Sequence, residues 1–290
     1  MQFGNNTMTV HDILNESVKS LEKAGIPSAR LDAEVLLAFY LNCDRVEFLK
    51  NPDRIVSEKQ FAGFRNLLDR RLHWEPVAYI TGRKNFWTFS LEVNKDVLIP
   101  RPDTEIIVED TLAVCRKTGS AKLRILDIGT GSGAIALALA QEISLAEIIA
   151  TDISASALAL AGKNAHALDL GNKIDFRQGD LFDPVEGIFD IIVSNPPYIS
   201  EEEYKELPAG VKNYEPAIAL LAGKKGIEFY EKLIYQAPGY LKKKGWLLFE
   251  IGAKQQKDVR GLLEESGFYE RIAMRRDYAG LPRVMRARRE

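Results

Sequence analysis

The sequence predicts an α/β protein with a largely parallel sheet, preceded by a small helical domain and a β-hairpin linker. Three observations predict it. Apolar residues recur at helical spacing through the N-terminal part of the chain. Beyond about residue 100, β-branched runs alternate with helical stretches, the order of a sheet covered by helices. Several of those runs also end in Asp or Asn, at the edge where open parallel sheets bind ligands.

Helical spacing is carried first by Ile13, Val18 and Leu21, then by Leu31, Val35, Leu36 and Tyr40. A further run comprises Phe61, Phe64, Leu67, Leu68 and Leu72, with Ser57 and Gln60 placed as a capping box before it. These helices are expected to form a domain over residues 1–78. Residues 86–93 and 97–99 alternate like an antiparallel pair joined by Asn94-Lys95-Asp96, so residues 79–100 are expected to be a hairpin linker. The remainder, 101–290, is expected to hold the sheet. Residues 123–128, 147–152 and 189–194 read as buried strands, and 177–182 as the end of another. A fifth strand is expected over 245–251, with helices over 227–241 and 256–263. Two last strands, 272–276 and 283–288, are close enough to pair as an antiparallel hairpin at the sheet edge. No internal repeat or low-complexity segment interrupts this order.

At 290 residues the chain exceeds one typical domain. Hydrophobic residues make up 46%, charged residues 28%, and the net charge is −2, which describes an ordinary soluble protein. No apolar run has the length to cross a membrane, and Asn5 and Asn6 argue against a secretory signal. Cys43 and Cys115 lack metal-ligand spacing, and His11, His73 and His166 are scattered singly. A cytoplasmic, metal-free protein is expected. Near-neutral charge also argues against a dedicated nucleic-acid surface. Positive charge is concentrated only in Arg275, Arg276, Arg283, Arg286, Arg288 and Arg289, either as exposed strand faces or as a contact for RNA or an acidic protein.

The chemistry is concentrated at the strand ends. Asn195-Pro196-Pro197-Tyr198 follows a buried strand, and its two prolines lack backbone N–H groups to pair with neighbouring carbonyls. Pro196 holds Asn195 out of the α region. An amide oxygen, carbonyls and an aromatic ring together suit a planar –NH2 group; the same residues also suit a plain turn. Upstream, Asp127 precedes the loop Gly129-Thr130-Gly131-Ser132-Gly133, which opens a helix and lets backbone approach a ligand closely. Asp152 ends the next strand, placed to grip ribose hydroxyls, and Asp180 with Leu181 follows a third, placed for an adenine amino group. The loop also satisfies a loose dinucleotide fingerprint. A carboxylate at Asp127 would repel a pyrophosphate, however, while it suits a ligand's ammonium group. Each Asp or Asn alone is equally at home as a cap or turn residue.

Taken together these residues resemble the seven-stranded, Rossmann-like methyltransferases that use S-adenosylmethionine. Within them the chain is most similar to the protein-(glutamine-N5) methyltransferases that modify peptide-chain release factors (the HemK/PrmC-like family). The likeness covers nearly the whole chain. It includes Pro76–Gly82, Ile99-Pro100-Arg101-Pro102-Asp103-Thr104-Glu105, Asn213-Tyr214-Glu215-Pro216 and Phe249-Glu250-Ile251-Gly252. One departure is Asn85-Phe86-Trp87, where the family carries an acid before the aromatics. The resemblance implies methylation of the glutamine in the Gly-Gly-Gln motif of release factors. The helical domain would then recognise that protein or serve as a lid or stability module, and no stable nucleic-acid binding would be needed. Two other readings remain open at this point: an adenine or guanine amino-group methyltransferase acting on RNA or DNA, and a non-catalytic nucleotide- or partner-binding module.

Overall fold

The computed structural model describes residues 8–118 and 122–290. Asn5 and Asn6, on which the argument against a secretory signal rests, lie outside the described residues. The chain divides into two compact units, one running to Gly82 and including Ala209–Tyr214, the other comprising Arg83–Pro208 and Glu215–Glu290.

The first unit is built on α1 (Val10–Lys23), α2 (Ala29–Leu41) and α3 (Glu58–Leu72). Ser57 and Gln60 form the capping box their spacing predicts: the Gln60 N–H donates to Ser57 Oγ (3.3 Å) and the Ser57 N–H to Gln60 Oε1 (3.0 Å). Two backbone donors at the helix start are thereby satisfied. Ser57→Ala is expected to destabilise this unit by ~1 kcal/mol, read as a lower urea midpoint. Ile13, Leu21, Leu36 and Phe64 are buried as their spacing predicts. The expected face of α2 is partly wrong, because Leu31 is 48% exposed and Tyr40 36%. Ala29, Ala33 and Leu37 face the core instead, the two alanines letting the helices approach. Tyr40 lies over Gly63, where a β-carbon would meet its hydroxyl. Arg71 and Asp32, 39 positions apart, form a buried ion pair at 2.7 Å that helical periodicity does not reveal.

The second unit holds a seven-stranded sheet. Its strands are β1 (Arg124–Ile128), β2 (Glu147–Asp152), β3 (Ile174–Gln178), β4 (Phe189–Ser194), β5 (Leu241–Glu250), β6 (Tyr269–Arg276) and β7 (Pro282–Arg289). Their order across the sheet is β6-β7-β5-β4-β1-β2-β3. Strands β1 to β5 are parallel, whereas β7 lies antiparallel to both β5 and β6. The predicted terminal hairpin forms, but only β6 is an edge; β7 is inserted beside β5. From β1 the chain proceeds outward through β2 and β3, then returns to β4 on the other side, so the β1/β4 boundary is the topological switch point. There Ile128 pairs with Ser194, whose hydroxyl donates to the Ile128 carbonyl at 2.8 Å.

The linker differs from expectation. Its hairpin pairs Arg83–Phe86 with Phe89–Glu92, and Trp87-Thr88 forms the turn; residues 97–99 are not a strand. Trp87 takes φ +55°, a left-handed conformation that no Gly or Asn announces in the sequence. Tertiary contacts hold it there. The Trp87 backbone N–H donates to Glu105 Oε1 at 2.9 Å and its indole N–H to Glu142 Oε1 at 2.8 Å. Residues 94–97 instead form a turn, the Asp96 N–H donating to Asn94 Oδ1 at 2.9 Å.

Two further expectations are corrected. The helix predicted over 227–241 ends at Gln236, because Pro238 and Gly239 cannot continue it and strand β5 already begins at Leu241. The C-terminal arginines are not a free basic face. Arg286 meets Asp110 at 2.5 Å, Arg288 meets Glu270 at 2.6 Å, Arg283 meets Asp277 at 3.0 Å, and Arg275 pairs with Glu109. Arg276 and Arg289 donate to the Gly280 and Leu241 carbonyls. Among the described residues, no helix is long and apolar enough to cross a membrane.

Candidate active site

Strand β1 leads into the glycine loop. The Gly129 and Thr130 N–H groups both donate to the Thr151 carbonyl at 2.9 Å, tying the loop to β2. Gly129 and Gly131 have φ of +72° and +56°. A β-carbon at either would meet no atom within 4 Å, so backbone conformation, not crowding, demands glycine there. The Gly131 N–H donates to Asp152 Oδ2 at 2.8 Å and the Ser154 N–H to Asp152 Oδ1 at 2.9 Å. Asp152 therefore braces the loop from the neighbouring strand. Burial pushes its pKa up, and these backbone donors oppose that rise.

Asp127 lies beneath the loop. It is fully buried, and its Oδ2 accepts from the Thr130 hydroxyl at 2.7 Å. Its Oδ1 makes no hydrogen bond among the described residues. Burial pushes the Asp127 carboxyl up to about 7; the Thr130 hydroxyl and the nearby Ala136 N–H offset this only in part, and the Asp152 charge adds to it.

Across the switch point, β4 delivers Asn195 beside a buried polar chain. Asn195 Nδ2 donates to Thr104 Oγ1 at 3.2 Å, and the Thr104 hydroxyl donates to Glu250 Oε2 at 2.7 Å. The Tyr198 hydroxyl donates to Glu250 Oε1 at 3.2 Å. The Tyr198 carbonyl accepts from Gln255 Nε2 at 2.8 Å, which holds the Pro-Pro turn against the sheet. Burial, and then the adjacent Glu250 charge, hold the Tyr198 hydroxyl well above the ordinary phenol pKa, so it stays a donor.

A cavity of about 280 Å³ opens between these two groups of residues. Of the residues singled out in the sequence, Gly129, Thr130, Gly131, Ser132, Asp152, Asp180, Leu181, Asn195 and Pro197 line it. Asp127, Gly133, Pro196 and Tyr198 do not. Gly133 starts the helix Ala134–Glu142, where a β-carbon would come within 3.0 Å of the Leu137 side chain. Pro196 is buried. The Tyr198 hydroxyl is bonded to Glu250. Asp180 is exposed just beyond β3, while Leu181 is buried at φ +47°. Two apolar walls complete the cavity, Val97, Leu98 and Pro100 on one segment and Pro216, Ile218 and Ala219 on another. Glu215 clamps them together: its Oε2 accepts from the Ile99 N–H at 3.0 Å and its Oε1 from Arg101 at 2.5 Å. Thr104, Glu215 and Glu250 fall within the family-like stretches of the sequence, but no local pattern there marks them as parts of the site.

A seven-stranded sheet with this switch-point cavity defines the class of Rossmann-like methyltransferases. A methyltransferase from Pyrococcus furiosus shares the fold, with a TM-score of 0.51 and 20% identity over 77% of this chain and 98% of its own. Residues 12–82 match the PrmC N-terminal domain and residues 109–209 the methyltransferase small domain. The release factor glutamine methyltransferase of Rhodopirellula baltica is 38% identical, covering 96% of this chain and 95% of the relative. That of Aliivibrio fischeri is 40% identical, covering 96% of each. The chain belongs to the release factor glutamine methyltransferase family.

Proposed function

We propose that the protein transfers a methyl group from S-adenosylmethionine to the side-chain amide nitrogen, N5, of the glutamine in the Gly-Gly-Gln motif of peptide-chain release factors. The observation that carries this reading is Asn195: a side-chain amide on the cavity wall at the switch point, its Nδ2 already engaged by Thr104. Its Oδ1 is thus left to accept from a planar –NH2 group.

The cavity fits the cofactor. Gly129 and Gly131 leave open space beside the loop, Asp152 and Asp180 lie on the wall as hydroxyl and amino partners, and the apolar segments suit a flat base. When bound, S-adenosylmethionine supplies a methyl group already activated by a sulfonium charge. Asp127 acts here through the Thr130 hydroxyl, holding the loop in shape. Gly133 does so by starting the helix behind it.

An amide nitrogen is a weak nucleophile because its lone pair is delocalised into the carbonyl. Asn195 Oδ1 accepts one of its N–H groups and aims it into the cavity, while Pro197 walls the position. As the nitrogen gains positive character that acceptor binds it more strongly, which concentrates the stabilisation in the transition state. Alignment supplies much of the rest. Asn195 is no base at neutral pH, and the proton departs to water afterwards. The helical domain, residues 1–78, recognises the release factor, residues 79–100 link it, and 101–290 carry the transfer.

Labelled S-adenosylmethionine incubated with purified release factor is expected to label the wild-type factor and leave a Gln→Ala loop variant unlabelled. Label on total RNA alone, run as a parallel acceptor, would overturn the reading in favour of a nucleic-acid amino group.

A further inference from the structure

Thr104, which lines the same cavity as Asn195, begins a chain whose donors all point one way. Glu250 is fully buried on β5 and accepts from both Thr104 and Tyr198. Arg283 lies 3.9 Å from Glu250 Oε1 and is itself held by Asp277 at 3.0 Å and Asp103 at 3.1 Å, so a fixed cation stands beside the carboxylate. Burial raises the Glu250 pKa, and the Thr104 hydroxyl and the Arg283 charge oppose that rise. The Thr104 hydroxyl donates to Glu250 Oε2 at 2.7 Å, so what Thr104 offers Asn195, whose Nδ2 lies 3.2 Å away, is a lone pair. A side-chain amide can sit either way round, and its partners decide which. Next to a lone pair, Nδ2 is the end that fits.

We propose that Thr104, with its proton committed to Glu250, is a positioning residue that sets the Asn195 amide so that Oδ1, not Nδ2, meets the substrate nitrogen. This rests on the acceptor role given to Asn195 above. A reversed amide would present two N–H donors to a group that is itself an N–H donor, and the reacting nitrogen would lose its partner. Tyr198 fills the other oxygen of Glu250, which leaves Oε2 to Thr104.

The test is steady-state methylation of purified release factor by Thr104→Val, Thr104→Ser and Asn195→Ala, with S-adenosylmethionine affinity measured by calorimetry for each. Valine keeps the shape and removes the lone pair. It is expected to lower kcat about tenfold or more, as for an amide that has lost its hydrogen-bond partner, while cofactor affinity and the KM for release factor stay within about threefold. Serine restores the hydroxyl and is expected to bring kcat back to within about threefold of wild type. An undiminished kcat in Thr104→Val alongside a slow Asn195→Ala would overturn the positioning role and leave the acceptor role standing. Undiminished rates in both would overturn the two together. A parallel loss of cofactor affinity in Thr104→Val, or no recovery with serine, would make Thr104 a packing residue and sink the inference.

Discussion

Asn195→Ala is expected to slow methyl transfer about 10²–10³-fold, the range found when one preorganised transition-state partner is removed. The loss should appear in kcat, with S-adenosylmethionine affinity nearly unchanged, because the amide acts on the nucleophile and the loop with Asp152 shapes the cofactor end. Asn195→Asp is a sharper comparison. Aspartate keeps an acceptor for the substrate but has no N–H for Thr104, and it places a second carboxylate close to Glu250. Its rate is expected to fall well below wild type although an oxygen remains, showing that the orientation of the amide matters as well as its presence. A wild-type rate from Asn195→Ala under saturating substrates would remove this side chain from the mechanism.

The second large effect is on stability. The Asp127 pKa of about 7 in the folded protein stands above its ordinary 3.8, so between those values the folded state holds a proton that the unfolded state has released. Stability from this group is present in full below pH ~4 and is lost as pH rises through ~7. The rise from 3.8 to about 7 is equivalent to ~4 kcal/mol. Asp110, Asp152 and Glu250 are also raised, chiefly by burial, and add a trend of the same sign. Asp127→Asn isolates the one group: it keeps an oxygen for the Thr130 hydroxyl and has no charge to desolvate. Urea unfolding of the ligand-free proteins at pH 5 and pH 8 is expected to show the variant gaining on wild type at pH 8. Equal differences at the two pH values would mean that Asp127 does not titrate in this window. The buried charge is thus a stability cost carried beneath a loop that function needs, a trade often found at active sites.

Much of the fold was legible because it rests on local periodicity. The strands at 124–128, 147–152 and 189–194 fall where β-branched runs stand, since a strand buried on both faces needs them. The helix starting at Glu58 begins at its capping box. Features without a local signal are decided by partners distant in sequence. The Trp87 turn has no turn residue and is held by Glu105 and Glu142. Leu31 and Tyr40 follow a helical period yet face outward, because Ala29 and Ala33 let α2 pack on its small-residue side.

The sequence by itself determined the alternation of strand and helix, the glycine loop with its left-handed turns, and the Asn-Pro-Pro-Tyr strand end. Each follows from the conformational range of a few adjacent residues. Tertiary structure alone decided how those pieces become a site. Asn195 finds Thr104 across 91 positions, Thr104 finds Glu250 across 146, and Glu215 reaches Ile99 across 116. Arg283 and Arg286 reach Asp103 and Asp110, acids far along the chain, only when β7 is placed inside the sheet. Side-chain hydrogen bonds of this span leave no period in the sequence, because the fold, not the neighbouring residue, supplies the partner.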